Sequence, residues 1–398
     1  MAATPIYLDH AATTPVRPEV RGAMLPFLSD EAFGNPSSAH AFGRAARAAL
    51  EHAREQLAGA LGVQPSEVVF TSGGTEADNM AVLGTALTQL QGPGHAAHLL
   101  SSPTEHKAVL ASLHEAEPLG ATTTLLPVDE DGVVDLDALE ASLTGRATGG
   151  RPTLVSVMWV NNETGAVQPV ARIAERCVAC GVPFHTDAVQ AFGKIPVNLG
   201  ALPVTLATVT AHKIGGPKGV GALIVRERAS VRGMVHGGGQ QGGLRPGTEN
   251  IAGAVGFGVA AELAAREQPR VSAELRAMRD ALQAALLARV KDAVVHGAGA
   301  DRGPNILSVS APGTDSEAML MHLDLAGLAC ASGSACTTGS IEPSHVLAAM
   351  GVTPDLARAA VRFSLGALSH ADQVPRIAET YERVVARVRE LGRALGRA

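Results

Sequence analysis

The sequence predicts an α/β protein built on a mainly parallel sheet with helices on both faces. Short apolar runs alternate with helical patterns through the first two thirds of the 398 residues, the βαβ rhythm that winds helices around a parallel sheet. Several of those runs are apolar on both faces, as strands must be when helices cover the sheet from either side. Apolar residues make up 46% of the chain and charged ones 18%, a globular composition with no sign of disorder. The length suits two domains, or one large domain with a smaller partner.

In chain order, the runs Glu67–Thr71, His98–Ser101, Thr122–Leu126, Thr153–Val160, Val182–Thr186 and Thr205–Thr210 read as strands. Helical patterns lie between them at Glu76–Leu90, Leu136–Leu143 and Val170–Cys180. The Gly-rich segment Thr144–Arg151 reads as a loop. Around Arg266–Arg270 a Gln-Pro pair is expected to break the chain into two amphipathic helices, beyond which the pattern becomes mixed α+β. The domain change is expected near residues 255–275. Residues 16–260 would form the large domain, and 1–15 with 261–398 the small one.

Charge excludes some functions. A net charge of −6 leaves no basic patch for non-specific binding to nucleic acid or an anionic membrane. No apolar run reaches the ~20 residues of a membrane helix, and Met1–Asp9 has no basic stretch leading into an apolar one. The four cysteines, at 177, 180, 330 and 336, lack the spacing of a secreted disulfide framework. These features together predict a cytoplasmic protein.

In open α/β sheets ligands bind beyond the C-terminal ends of the strands, so the residues that follow each strand carry the functional reading. After Glu67–Thr71 comes Ser72-Gly-Gly-Thr-Glu-Ala77 and then a helix. Glycine lets the main chain approach an anion, and the helix start supplies free N–H groups and a positive dipole. Asn161-Asn-Glu-Thr-Gly165 follows the fourth run; Asp187 and then Gln190 follow the fifth; His212-Lys213 with Gly216-Pro-Lys-Gly219 follow the sixth. Singly these are caps, turns and surface residues. Jointly, an acid, a lysine, an amide and a phosphate cradle at one sheet edge meet the needs of pyridoxal 5'-phosphate (PLP). Only five lysines exist in the chain, and Lys213, at the strand end, is preferred over Lys218 inside the turn. His106, in Thr104-Glu-His-Lys107, stands at the same edge.

Cys336 lies in Ala331-Ser-Gly-Ser-Ala-Cys-Thr-Thr-Gly-Ser340, a run of small residues expected to be mobile and partly exposed. A thiol displayed there suggests reactivity, because unpaired cysteines are usually buried. Cys177 and Cys180 instead share the inward face of a helix with Val170 and Ile173, and no second pair completes a zinc site. They are expected to pack, and no metal site is expected.

These segments, in this order, resemble the cysteine desulfurases of the NifS/IscS-like group, PLP-dependent enzymes of fold type I related to class V aminotransferases. The resemblance covers nearly the whole chain. It rests on Tyr7-Leu-Asp-His-Ala-Ala-Thr-Thr-Pro15, Gly34-Asn-Pro-Ser-Ser38, Phe70-Thr-Ser-Gly-Gly-Thr-Glu-Ala-Asp-Asn79 and Thr104-Glu-His-Lys-Ala-Val109. It continues through Asn161–Gly165, Asp187-Ala-Val-Gln190, His212-Lys213, Gly216–Gly219, Arg245-Pro-Gly-Thr-Glu-Asn250, Ser332-Gly-Ser-Ala-Cys336 and Arg362-Phe-Ser-Leu-Gly366.

The resemblance implies a large domain with a mainly parallel seven-stranded sheet and a smaller α+β domain carrying the cysteine loop. It implies that Lys213 anchors PLP covalently, Asp187 pairs with the pyridinium nitrogen, His106 stacks on the ring and handles protons, and Gln190 faces the phenolic oxygen. Gly74, Thr75, Thr210 and His212 would hold the phosphate, joined by Thr248 from the other subunit of a homodimer. Asn162, beside the cofactor, and Arg362 would receive the substrate carboxylate, for which arginine's planar fork is suited. Cys336 would take sulfur from L-cysteine as a persulfide, release L-alanine, and pass the sulfur to an acceptor such as an iron–sulfur scaffold protein. Thr210 stands where relatives commonly have serine, which keeps the hydroxyl. A selenocysteine lyase or a class V aminotransferase would use the same cofactor site, and a metal- or cluster-binding protein built on the four cysteines is the non-enzymatic alternative.

Overall fold

The computed structural model describes residues 4–91, 96–145, 151–226, 231–333 and 343–394. Its strands are β1 (Ile6–Tyr7), β2 (Val68–Thr71), β3 (Ala97–Ser101), β4 (Ala121–Leu125), β5 (Leu154–Ser156), β6 (Phe184–Asp187), β7 (Leu206–Thr210), β8 (Gly221–Val225), β9 (Val294–Val295), β10 (Ile306–Ser310), β11 (Leu328–Ala329) and β12 (Ala360–Ser364). The central sheet has seven strands in the order β2-β8-β7-β6-β5-β3-β4. Strands β4, β3, β5, β6 and β7 run parallel, and β8 is antiparallel to both β7 and β2. The α/β expectation therefore holds. The strand that sequence reading did not single out is β8, which returns from β7 through a connection too short for a crossover helix and so must pair antiparallel.

Alternate residues of these strands enter opposite cores. Phe70, Leu100, Ala207 and Ile224 face one core; Val69, Leu99, Leu206 and Leu223 face the other. The first core is covered by α2 (Ala41–Leu61), α5 (Leu136–Leu143), α6 (Val170–Ala179) and the early part of α7 (Ile251–Arg289). The second is covered by α3 (Gly74–Gln89) and α4 (Lys107–Ala116), while α1 (Pro18–Met24) packs on α7 and adds Val20 to the first core. A third apolar cluster joins Ile6 and Leu8 to β10, β12, the later part of α7, α8 (Ser316–Leu325) and α11 (Val374–Ala394). Short helices α9 (His345–Ala349) and α10 (Pro354–Arg358) share a fourth.

The expected break at Gln268-Pro269 does not occur: α7 runs 39 residues with Pro269 inside it. A proline in a helix interior costs about 3 kcal/mol through its missing N–H and its clash with the preceding turn. Packing at both ends outweighs that cost. Phe257, Ala260 and Leu263 are held in the first core, and Leu275, Met278, Leu282 and Leu286 in the third. Between them Arg17 grips Glu267 through two nitrogens at 2.8 and 3.1 Å. Of the Gly-rich segment Thr144–Arg151, residues 146–150 lie outside the described ones. Among the described residues no helix is long and apolar enough to cross a membrane.

On α6, Val170, Ile173 and Cys177 are buried as expected, and Cys180 packs partly buried against the same core. Burial, with Cys180 and Glu140 nearby, pushes the Cys177 thiol up to about 12, which leaves it an inert thiol. Replacing Cys177 and Cys180 together with Ala is expected to lower stability by about 1–2 kcal/mol, read as a shifted urea midpoint, with turnover per folded molecule retained. Stoichiometric zinc that disappears in the double variant would count against packing as their role.

Candidate active site

Three strand ends build the site. At the end of β2, the chain turns through Ser72-Gly73 into α3, whose first N–H groups have no intrahelical acceptor. The turn lies close on β8: a Cβ on Gly221 would come within 2.6 Å of the Gly73 main chain. Gly74, Thr75, Thr210, His212 and Lys218 line a cavity of about 410 Å³ at this helix start. The His212 ring, pushed down to about 4 by burial and by Lys213 and Lys218, is neutral at pH 7, with Nδ1 3.2 Å from Thr13 Oγ1. Helix dipole, hydroxyls and lysine together favour an anion. Thr248 is exposed and does not line this cavity.

At the end of β6, Asp187 is buried and accepts the Val189 N–H at 2.8 Å. Burial raises its pKa, while His106, the Val189 N–H and Lys213 oppose the rise. His106 caps α4: its Nδ1 accepts the Ala108 N–H at 3.1 Å, so the proton of the neutral ring sits on Nε2. Past β7, the Lys213 ammonium donates to the carbonyls of Ala11 and Ala12 at 2.5 and 2.7 Å. The Gln190 amide donates to the same Ala11 carbonyl at 2.9 Å. The N-terminal segment thus lies across the lysine.

Arg362, on β12, is 3% exposed. Its Nη1 donates to the main-chain carbonyl of Asn162 and its Nη2 to Asp9 Oδ1, both at 2.8 Å. Its Nε is buried without an acceptor among the described residues, a donor left unsatisfied where most buried ones are paired. Asn162 is thus tied to Arg362 by its main chain. Asn161, not singled out from sequence, holds this turn by accepting the Glu163 and Thr164 N–H groups and donating to the Thr104 carbonyl.

Cys336 lies outside the described residues. The chain on either side of its segment is anchored by hydrogen bonds. Ala331 and Arg362 exchange two main-chain hydrogen bonds, at 2.7 and 3.3 Å. A Cβ on Gly333 would meet Glu163 Oε2 at 2.1 Å, and Ser344 Oγ donates to that same oxygen. His345 Nε2 lies 2.9 Å from the Glu105 carbonyl. Both ends therefore converge on the edge that holds Arg362.

Sequence reading did not find Asp9, Asp78, Glu105, Asn161 or Glu163. All five lie inside the motifs that carry the family resemblance, which gave them no individual role. Asp78, His106 and Asp187 each bring one ligand atom to within 4.8 Å of the others.

The donor set tests the cofactor. An anion cradle, a lysine amine and a buried acid match the phosphate, aldehyde and ring nitrogen of PLP, and no residue in the set opposes them. Fold and site together define a PLP-dependent enzyme of fold type I. The class-V aminotransferase profile matches residues 6–377. A protein named cysteine desulfurase IscS from Dictyoglomus turgidum is 43% identical over 97% of this chain and 96% of its own. Another of that name, from Anaeromyxobacter dehalogenans, is 44% identical over 97% and 94%. Among solved structures, a NifS-like protein superposes with a TM-score of 0.87 at 35% identity, covering 96% of this chain and 100% of its own. DndA from Streptomyces lividans gives 0.74 at 36%, covering 90% and 99%. The chain belongs to the class-V aminotransferase family, and within it to the NifS/IscS-like cysteine desulfurases.

Proposed function

We propose that this protein is a cysteine desulfurase that takes sulfur from L-cysteine, releases L-alanine and carries the sulfur as a persulfide on Cys336. One observation supports this reading above the others. The buried arginine with an unmet donor is hydrogen-bonded through its main chain to Ala331, at the foot of the segment bearing Cys336. A substrate whose carboxylate reaches Arg362 is thereby held near the tether of the nucleophile.

Lys213 would bond the cofactor, Asp187 would face its ring nitrogen, and Gly74, Thr75, Thr210 and His212 would hold its phosphate. PLP, when bound, supplies the electron sink that loosens bonds at the substrate's α-carbon. Lys213 would take the α-proton, and His106, its proton on Nε2, stands ready to pass protons. Gln190 would face the phenolic oxygen, and Asn162, beside the cofactor, and Arg362 would orient the substrate carboxylate. The Cys336 thiolate would then attack the substrate sulfur, breaking its bond to the β-carbon, which keeps the electron pair and takes up a proton on the way to L-alanine. A free thiol with a pKa of ~8.5 is only a few per cent ionised at pH 7, so activation by His106 or by the substrate thiol completes the reading. Cys330 is a poor substitute: burial, with Asp9 and Asp324 nearby, pushes its thiol up to about 12. Incubation with L-cysteine and a reductant, followed by assays of sulfide and alanine, tests the proposal; pyruvate or transamination products without sulfide would refute it.

The reading includes a homodimer in the cytoplasm, a sulfur-acceptor protein such as an iron–sulfur scaffold, and a large domain of residues 16–260 beside a small one of 1–15 and 261–398. Exposed Thr248 would complete the partner's phosphate site. Mixing Lys213→Ala subunits with Thr248→Ala subunits is expected to restore activity, because one site of each heterodimer then carries both defects and the other none. No recovery after verified subunit exchange would exclude sharing between subunits.

A further inference from the structure

Behind Asp187 lies a group of acids to which the proposed reaction gives no task. Asp78 on α3 is 1% exposed, Glu105 0% and Asp187 5%. Oxygens of Asp78 and Asp187 and a ring nitrogen of His106 lie within 4.8 Å of one another. Buried carboxylates this close cannot all ionise, so some of them must keep their protons.

The neighbours decide which acid keeps its charge. Asp187 has His106, the Val189 N–H and Lys213 beside it, all favouring the anion. Glu105 accepts the Met158 N–H through one oxygen, and its other oxygen has no hydrogen-bond partner among the described residues. Asp78 faces Asp187 and Glu105, both of which oppose its ionisation, and among the described residues only the Thr208 hydroxyl favours its charge. Burial drives Asp78 and Glu105 well above the usual carboxylate range.

His185 offers Asp78 no charge. Its Nε2 stands 3.8 Å from Asp78 Oδ1, but burial pushes the ring down to about 3. Its two nitrogens are engaged by Thr208 Oγ1 at 3.0 Å and Ser156 Oγ at 2.8 Å. Asp78 Oδ1 itself has no hydrogen-bond partner among the described residues, which is far costlier for a carboxylate than for a neutral carboxyl.

We propose that Asp78 is a positioning residue for the cofactor: a neutral, proton-bearing carboxyl packed behind Asp187 that leaves Asp187 as the anion presented to the ring nitrogen. This inference rests on Asp187 facing that nitrogen, and the test separates the two. Wild-type, Asp78→Asn, Asp78→Ala and Asp187→Asn holoenzymes are loaded with PLP carrying nitrogen-15 in the ring, and the ring-nitrogen resonance and the rate of cofactor release are measured. Asp187→Asn is expected to move the resonance to the unprotonated position. Asp78→Asn should hold it at the wild-type position, since an amide reproduces a neutral carboxyl. Asp78→Ala leaves the Thr208–His185 chain without its acceptor and should speed cofactor release about tenfold, which Asp78→Asn restores to within about twofold. A shift in Asp78→Asn like that of Asp187→Asn would show Asp78 to be charged and overturn the proposal. Wild-type behaviour of Asp78→Ala in both measurements would also overturn it, while leaving Asp187 in its place. An unmoved resonance in Asp187→Asn would remove the Asp187 assignment and this inference with it.

Discussion

Lys213→Ala is expected to lose the yellow colour of the cofactor-bound enzyme and to produce sulfide at least about 10³-fold more slowly. The amine stands at the end of β7, donates to the Ala11 and Ala12 carbonyls, and is close enough to Asp187 to favour its charge. An alanine there keeps the anion cradle at the start of α3, so PLP should still bind, but without a covalent bond. Lys218 lines that cradle and is exposed on the turn, so Lys218→Ala should keep the colour at saturating PLP. Borohydride reduction followed by peptide mapping checks the assignment. A label on Lys218 would contradict it.

Cys336→Ser should leave PLP binding and the spectral response to L-cysteine intact, while sulfide and alanine production fall to near background, about 10³-fold or more. The residues assigned to the cofactor, among them Thr75, His106, Asp187, Thr210, His212 and Lys213, all lie outside the segment that carries Cys336. The grip on the substrate carboxylate would come from Arg362. Serine is nearly isosteric with cysteine but cannot form a persulfide, so the defect belongs to chemistry and not to binding. Mass spectrometry of the wild type after brief exposure to L-cysteine should show added sulfur on the Cys336 peptide. Cys177 and Cys330, both pushed up to about 12, should carry none. Full activity in the serine variant, or sulfur on Cys330 alone, would put the aminotransferase reading ahead.

Much of the proposed cofactor site was legible because it follows a positional rule. Apolar runs locate the strands, and the residues at or just past the ends of β2, β6 and β7 are Gly74-Thr75, Asp187 and His212-Lys213. Nothing beyond that rule and the residue types was needed to group them. The cysteines were also separable: Cys177 falls on the apolar face of a helix, and Cys336 in a run of small residues. The residues packed behind these obeyed no such rule. Asp78 reads as an ordinary helix acid, and only the packing of α3 against β6 and β7 brings it beside Asp187, His185 and Thr208. Asp9 and Arg362 are separated by almost the whole chain, and their 2.8 Å contact exists because the N-terminal segment pairs alongside β12.

The sequence by itself determined the α/β class, the strands that end at the proposed site and the family resemblance. Each depends on local pattern, on residue type at a strand end, or on short motifs in order. Only the tertiary structure decided that Pro269 would be carried through one continuous helix, that β8 would turn back antiparallel, and that Arg362 would be clasped by Asp9 and Asn162. It also decided how the buried acids divide their charge. Those outcomes depend on which distant side chains share a water-free space, where packing at both ends outweighs a proline and one carboxylate's neighbours set another's proton.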